Sequence, residues 1–154
     1  MKVAAIEFNV KHEALEIFVS GCSIRCKNCH NPELWNFDYG DEVDTVVLDR
    51  YLNNPLVKRV HIMGGEPLDQ DLVELEGLLT HISKTKEIWL FTGHSSVPHS
   101  LLKHIDYIKI GKYLEEHENT TGAEQYGFKL GSYNQEIVKV DRNEGLWYDK
   151  PNKI

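Results

Sequence analysis

Four short apolar segments, each closed by a glycine, constrain the fold of this chain more than any other feature. Residues 15–20 (LEIFVS) run into Gly21, residues 57–63 (VKRVHIM) into Gly64, residues 87–92 (EIWLFT) into Gly93, and Tyr107–Ile110 (YIKI) into Gly111. Segments of this length and composition read as strands. Between them lie helical patterns: Val43, Val46, Val47, Tyr51 and Leu52 recur at helical spacing across residues 42–53, before Asn53, Asn54 and Pro55 stop the pattern. Leu68, Leu72, Leu75, Leu78, Leu79 and Ile82 form a longer stripe, and residues 98–105 a short one. Alternating strands and helices imply an α/β fold with parallel strands joined by crossovers, whose functional loops gather at the strands' C-terminal ends. Gly21, Gly64, Gly93 and Gly111 are therefore expected on one rim. A complete eight-stranded β/α barrel takes about 250 residues, so a barrel of 154 residues is partial and open. Residues 114–126 read as a long polar loop and residues 128–130 and 135–140 as a final pair of short strands, with Trp147 and Tyr148 packing near the end.

Composition excludes several classes of function. No apolar run approaches the roughly 20 residues that span a bilayer, and Glu7 and Asn9 interrupt the first ten residues where a secretory core would be unbroken. No membrane association is expected, and a cytoplasmic location is. With 17 Lys+Arg against 24 Asp+Glu and a net charge of −7, the chain lacks the basic footprint of a nucleic-acid binder. A small molecule or a protein is the expected substrate.

The chain's three cysteines, Cys22, Cys26 and Cys29, fall within eight residues. An odd, crowded set cannot form a disulfide framework. Buried inert thiols fit poorly, because Ser23, Arg25, Lys27 and Asn28 make the segment polar. A structural zinc site needs four ligands, and His30 is awkwardly adjacent to Cys29 as the fourth. A [4Fe-4S] cluster held by three thiolates leaves one iron open, whereas an electron carrier uses four.

The three-then-two cysteine spacing resembles the radical S-adenosylmethionine (SAM) superfamily. Gly21-Cys22 followed by Cys29-His30-Asn31-Pro32-Glu33 and Trp35 resembles the glycyl-radical-enzyme activases, and Gly64-Gly65-Glu66-Pro67 matches the superfamily's glycine-rich motif. Trp89–Gly93, Asp106-Tyr107 through Gly111-Lys112-Tyr113, and Gly131-Ser132-Tyr133-Asn134-Gln135 are similar to the small activating proteins of the anaerobic (class III) ribonucleotide reductases. Two departures are visible: Asn28 stands where the family has an aromatic or small residue, and Phe8-Asn9-Val10-Lys11-His12 replace a Gly-Pro-Gly turn.

The resemblance implies one radical SAM domain over residues 1–154, folded as an open, partial β/α barrel with mainly parallel strands. Cys22, Cys26 and Cys29 would hold a [4Fe-4S] cluster as metal ligands and catalytic centre. Asn28, Cys29, His30, Gly64, Gly65 and Glu66 would bind SAM. The implied activity is reductive SAM cleavage that places a glycyl radical on the large subunit of the anaerobic reductase. Another small radical SAM enzyme and a non-catalytic zinc or iron–sulfur module are the alternatives. Arg25 and Lys27 put positive charge on the cluster loop of an acidic chain, which suits an acidic electron donor such as reduced flavodoxin. His61 reads as core, His94 as a candidate SAM neighbour, and Lys112 as a rim cation.

Overall fold

The computed structural model describes residues 1–148. Its strands are β1 (Lys2–Asn9), β2 (Ala14–Val19), β3 (Asp41–Glu42), β4 (Arg59–Gly64), β5 (Glu87–Phe91), β6 (Tyr107–Ile110), β7 (Glu124–Gln125), β8 (Phe128–Lys129), β9 (Glu136–Asp141) and β10 (Leu146–Tyr148). Its helices are α1 (Thr45–Leu52), α2 (Leu72–Ser83) and α3 (His99–Leu102). Eight strands form one sheet in the order β10-β9-β6-β5-β4-β2-β1-β3, while β7 and β8 make a separate hairpin.

Successive strand residues point to opposite faces, and this alternation divides the molecule. Leu15, Ile17, Val60, Ile62, Ile88, Leu90, Ile108 and Val138 pack with Leu48 and Leu52 of α1, Leu75, Leu79 and Ile82 of α2, and Leu101 and Leu102 of α3. Each such side chain contributes about 1.5–3 kcal/mol when fully buried, so this face holds the fold together. Asp44 caps α1 by accepting from the Val47 amide, and Asp71 caps α2 by accepting from the amides of Val73 and Glu74. The intervening residues Glu16, His61, Trp89 and Tyr107 lie in register on the other face. There Phe128 stacks on His12 at 3.9 Å and meets the rings of His61, Trp89 and Phe91. His61 is fully buried, as expected.

The expected partial barrel with mainly parallel strands is corrected by this topology. Pairings β2–β4, β4–β5 and β5–β6 are parallel, but β1–β2, β1–β3, β6–β9 and β9–β10 are antiparallel. The sheet is open and mixed. Closing a barrel requires repeated strand–helix units, and here three such steps are flanked by strands that return antiparallel on both sides. The sheet therefore ends at β3 and β10.

Other expectations shift locally. Residues 41–42 pair with Lys2 and Val3, so α1 starts later than the apolar spacing suggests. Pro67–Asp69 form a 3₁₀ turn ahead of α2, and α3 is a single turn. Strand β1 lacked a sequence expectation, and β8 and β9 pair with different neighbours rather than with each other. The polar stretch is pinned, since Asn119 donates to the carbonyls of Ala123 and Leu130 and accepts from the Ala123 amide. The packing expected of Trp147 and Tyr148 lies outside the described side chains.

Candidate cluster and cofactor site

Because β2, β4, β5 and β6 run parallel, their C-terminal ends share one rim, as the glycine pattern implied. A cavity of about 220 Å³ opens there, lined by Cys22, Cys26, Cys29, Gly64, Gly65, Glu66, Gly93 and Gly111 among others. The cysteine loop leaves β2 at Gly21 and is stitched at its base. The Gly21 and Cys22 amides donate to the carbonyls of Leu34 and Trp35, and the Gly65 and Glu66 amides to those of Val19 and Gly21. Within the loop, Arg25 and Asn28 take positive φ angles of 51° and 55°. Both glycines of the pair are required by this crowding. Gly64 has φ 107°, and a Cβ on Gly65 would stand 2.6 Å from the Gly21 carbonyl oxygen.

Glu66 is buried behind the cavity. Its carboxylate accepts from the Thr92 hydroxyl (2.6 Å), the Gly93 amide (2.7 Å) and the Leu68 amide (3.0 Å). Burial pushes its pKa up, against these hydrogen bonds. Asp69 accepts from the Ser23 amide and hydroxyl, both at 2.7 Å, and from His94 Nε2 at 3.0 Å. Burial alone would raise the Asp69 pKa, but the hydrogen bonds from Ser23 and His94 outweigh it and hold the carboxyl below its ordinary value. Asp69 thus joins the cysteine loop to the loop after β5. Burial raises the Cys22 thiol pKa, aided by the charges of Glu66 and Asp69 and opposed by the amides of Arg25 and Ile24.

The structure brings Cys22, Cys26, Cys29, Gly64, Gly65 and Glu66 together, whereas Asn28 and His30 are outside the cavity lining. Asn28 Nδ2 donates to Glu115 at 2.5 Å, and the His30 ring lies 5.4 Å from that of Tyr113. His94 turns to Asp69, and Lys112 lines the cavity. Sequence reasoning missed Asp69, Lys109 and Gln135. Lys109 was legible as the lone cation inside an apolar strand; Asp69 acts through Ser23 and His94, 46 and 25 residues away, which no local pattern marks, and Gln135, at the end of the Gly131–Gln135 motif, accepts from the Gly131 amide and donates to the Gly111 carbonyl.

The donor set fits an iron–sulfur cubane. Three free thiols border one cavity, and the buried Trp35 Nε1, on a residue of the same lining, has no hydrogen-bond partner among the described residues. Among those residues no three His, Cys, Asp or Glu side chains converge as single-ion ligands do. Thiolates on a cubane each bind a different iron, and three thiols bordering one cavity suit such a cluster.

Comparison with known proteins agrees with this chemistry. A family model described as a 4Fe-4S single cluster domain matches residues 13–138. The anaerobic ribonucleoside-triphosphate reductase-activating protein of Haemophilus influenzae is 29% identical over 116 residues, covering 65% of this chain and 74% of the relative. Its namesake from Vibrio cholerae is 30% identical over 116 residues with the same coverage. That of Enterobacteria phage T4 is 32% identical over 107 residues, covering 63% of this chain and 69% of the relative. No solved structure matches the chain.

Proposed function

Because this chain belongs to the family of anaerobic ribonucleoside-triphosphate reductase-activating proteins, with a 4Fe-4S single cluster domain, we propose that it activates such a reductase by radical SAM chemistry. The observation that carries the reading is the meeting of three thiols, a glycine pair and a buried glutamate around one cavity. Cys22, Cys26 and Cys29 would hold the cluster. A [4Fe-4S] cluster held there would supply one electron to the sulfonium of SAM, splitting it into methionine and a 5′-deoxyadenosyl radical, which would take a Cα hydrogen from a glycine of the reductase to give 5′-deoxyadenosine and a glycyl radical.

The chain's own residues bind and orient. Gly64 and Gly65 let a ligand approach the backbone, and Glu66 fixes Thr92 and Gly93 at the cavity wall while offering negative charge to the SAM ammonium. Asn28 and His30, carried by the cluster loop outside the cavity lining, would contribute to cofactor binding from that loop. Trp35 and Phe91 supply apolar walls that exclude water. The open sheet leaves the cavity accessible to a large partner, whose docking would complete the shielding.

A reduced flavodoxin-like donor would approach Arg25 and Lys27. Both residues are exposed, Arg25 lying 5.7 Å over the Trp35 ring and Lys27 pairing with Glu115 at 3.2 Å. No helix among the described residues is long and apolar enough to cross a membrane, and thiols that must stay reduced suit the cytoplasm. Anaerobic reconstitution with iron and sulfide, followed by reduction in the presence of SAM, tests the reading. Release of 5′-deoxyadenosine and methionine is expected. A protein that loads zinc instead and forms no nucleoside contradicts it.

A further inference from the structure

The cysteine loop is also gripped from outside, by a contact to which the proposed reaction assigns no role. Between the second and third cysteines its own backbone supplies the Cys29 amide to the Cys26 carbonyl at 3.1 Å. Arg25 and Asn28 are left-handed there, with φ 51° and 55°, a conformation that residues other than glycine keep where their surroundings fix it. For Asn28 those surroundings include Glu115, 87 residues away. Glu115 Oε1 accepts from Asn28 Nδ2 at 2.5 Å and Oε2 pairs with Lys27 Nζ at 3.2 Å, so one carboxylate holds two consecutive loop residues. Glu115 opens the 3₁₀ turn Glu115–His117 in the segment after β6, which is itself tied down. The Leu114 amide donates to the Ser132 hydroxyl, and Asn134 Nδ2 to the Lys112 carbonyl. Both partners of the grip belong to walls of one cavity, with Cys26 and Cys29 on the loop side and Lys112 and Tyr113 on the β6 side.

Resting on the proposed function, we infer that Glu115 is a positioning residue that latches the stretch between Cys26 and Cys29 to the segment after β6, and so sets how fast SAM leaves the cavity. Glu115 is itself outside the cavity lining, so it acts through the loop and not on the cofactor. With the latch shut, the two walls stay together around whatever the cavity holds. With it open, the loop loses its outer support and the walls can part.

Amide hydrogen exchange of the metal-free protein reads the latch without any cofactor. Glu115→Ala should speed exchange of residues 23–30 about 5-fold and leave that of β4 and β5 unchanged. Glu115→Gln, which keeps an acceptor for Asn28 but no charge for Lys27, should fall between. SAM release is then followed from the cluster-loaded, unreduced protein. It should be about 5-fold faster in Glu115→Ala. Adding Glu115→Ala to a Lys27→Ala/Asn28→Gly variant, whose glycine keeps the left-handed backbone, should change release no further. Unchanged loop exchange, unchanged SAM release, or a full effect of Glu115→Ala in the variant lacking both partners overturns the inference. Exchange that rises equally in β4 and β5 overturns it too, because that marks a general loss of stability and not a latch. An unmodified protein that takes up iron and sulfide but binds no SAM contradicts the proposed function itself, a failure distinct from each of these.

Discussion

The two faces of the sheet are made by alternate residues of the same strands, yet they do opposite work. On the helix side, Val60, Ile62, Ile88, Leu90 and Ile108 are all completely buried aliphatics. On the open side, the same strands present His61, Met63, Trp89, Phe91, Tyr107 and Lys109. Stability and chemistry are thus separated by the period of two along each strand. Substitutions one residue apart should therefore produce different kinds of damage.

The largest expected effect is on the open side. Replacing Cys22, Cys26 or Cys29 by alanine should lower 5′-deoxyadenosine formation to background and reduce bound iron, while the unfolding free energy of the metal-free protein moves by less than about 1 kcal/mol. Product assay, iron analysis and urea unfolding check this. A thiol whose removal unfolded the metal-free chain would erase the contrast between the faces.

On the helix side, Leu79→Ala or Leu90→Ala should cost about 2–5 kcal/mol, read from the urea midpoint of the metal-free protein. Both residues are fully buried. The cysteine loop should remain able to load iron in whatever fraction stays folded.

Gly65→Ala tests the boundary between the two regions. The added Cβ would lie 2.6 Å from the Gly21 carbonyl oxygen and 2.9 Å from that of Leu34, so the turn after β4 and the start of the cysteine loop must separate. SAM binding should weaken by about 5- to 150-fold, in keeping with overpacking costs of about 1–3 kcal/mol. Equilibrium binding to the loaded protein measures it.

A smaller effect is expected from pH. Asp69 has a lowered pKa because, although burial opposes it, Ser23 and His94 stabilise the carboxylate. The resulting stability is present above the ordinary carboxylate value of about 4 and is lost as pH falls through the depressed folded value. The stability difference between the metal-free protein and its Asp69→Asn variant should thus be flat above about pH 5 and shrink on further acidification. A difference that grew toward acid would show that Asp69 is not held ionised. Smallest of all, reversing Arg25 and Lys27 to glutamate should slow reduction by an acidic donor at low salt and leave little effect beyond the Debye screening of about 1 M salt. An unchanged rate and salt dependence would remove the steering role.

The sequence made the centre of this molecule legible and its margins much less so. Strands β2, β4, β5 and β6 were visible because each is a short apolar run ended by glycine, and parallel pairing of those four follows from the intervening helical patterns. The margins depend on antiparallel returns that leave no such signature: β1 carries Glu7 among Ala4, Ala5, Ile6 and Phe8, and β9 meets β6 only after the long polar stretch. A barrel extrapolated from the centre was therefore the wrong continuation. The cysteines and Gly64-Gly65-Glu66 were legible because their residue types are rare at that spacing. The Ser23–Asp69–His94 tie was hidden, since its members are 46 and 25 residues apart and are common surface types.

In the proposed reaction the open face puts a radical on a glycine of a partner reductase. Electron paramagnetic resonance of the reduced, cluster-loaded protein mixed with SAM and the cognate anaerobic reductase tests it most directly. The expected signal is a glycyl doublet that requires Cys22, Cys26 and Cys29 and disappears when the target glycine of the reductase is replaced by alanine. SAM cleavage without any doublet on the reductase would contradict it.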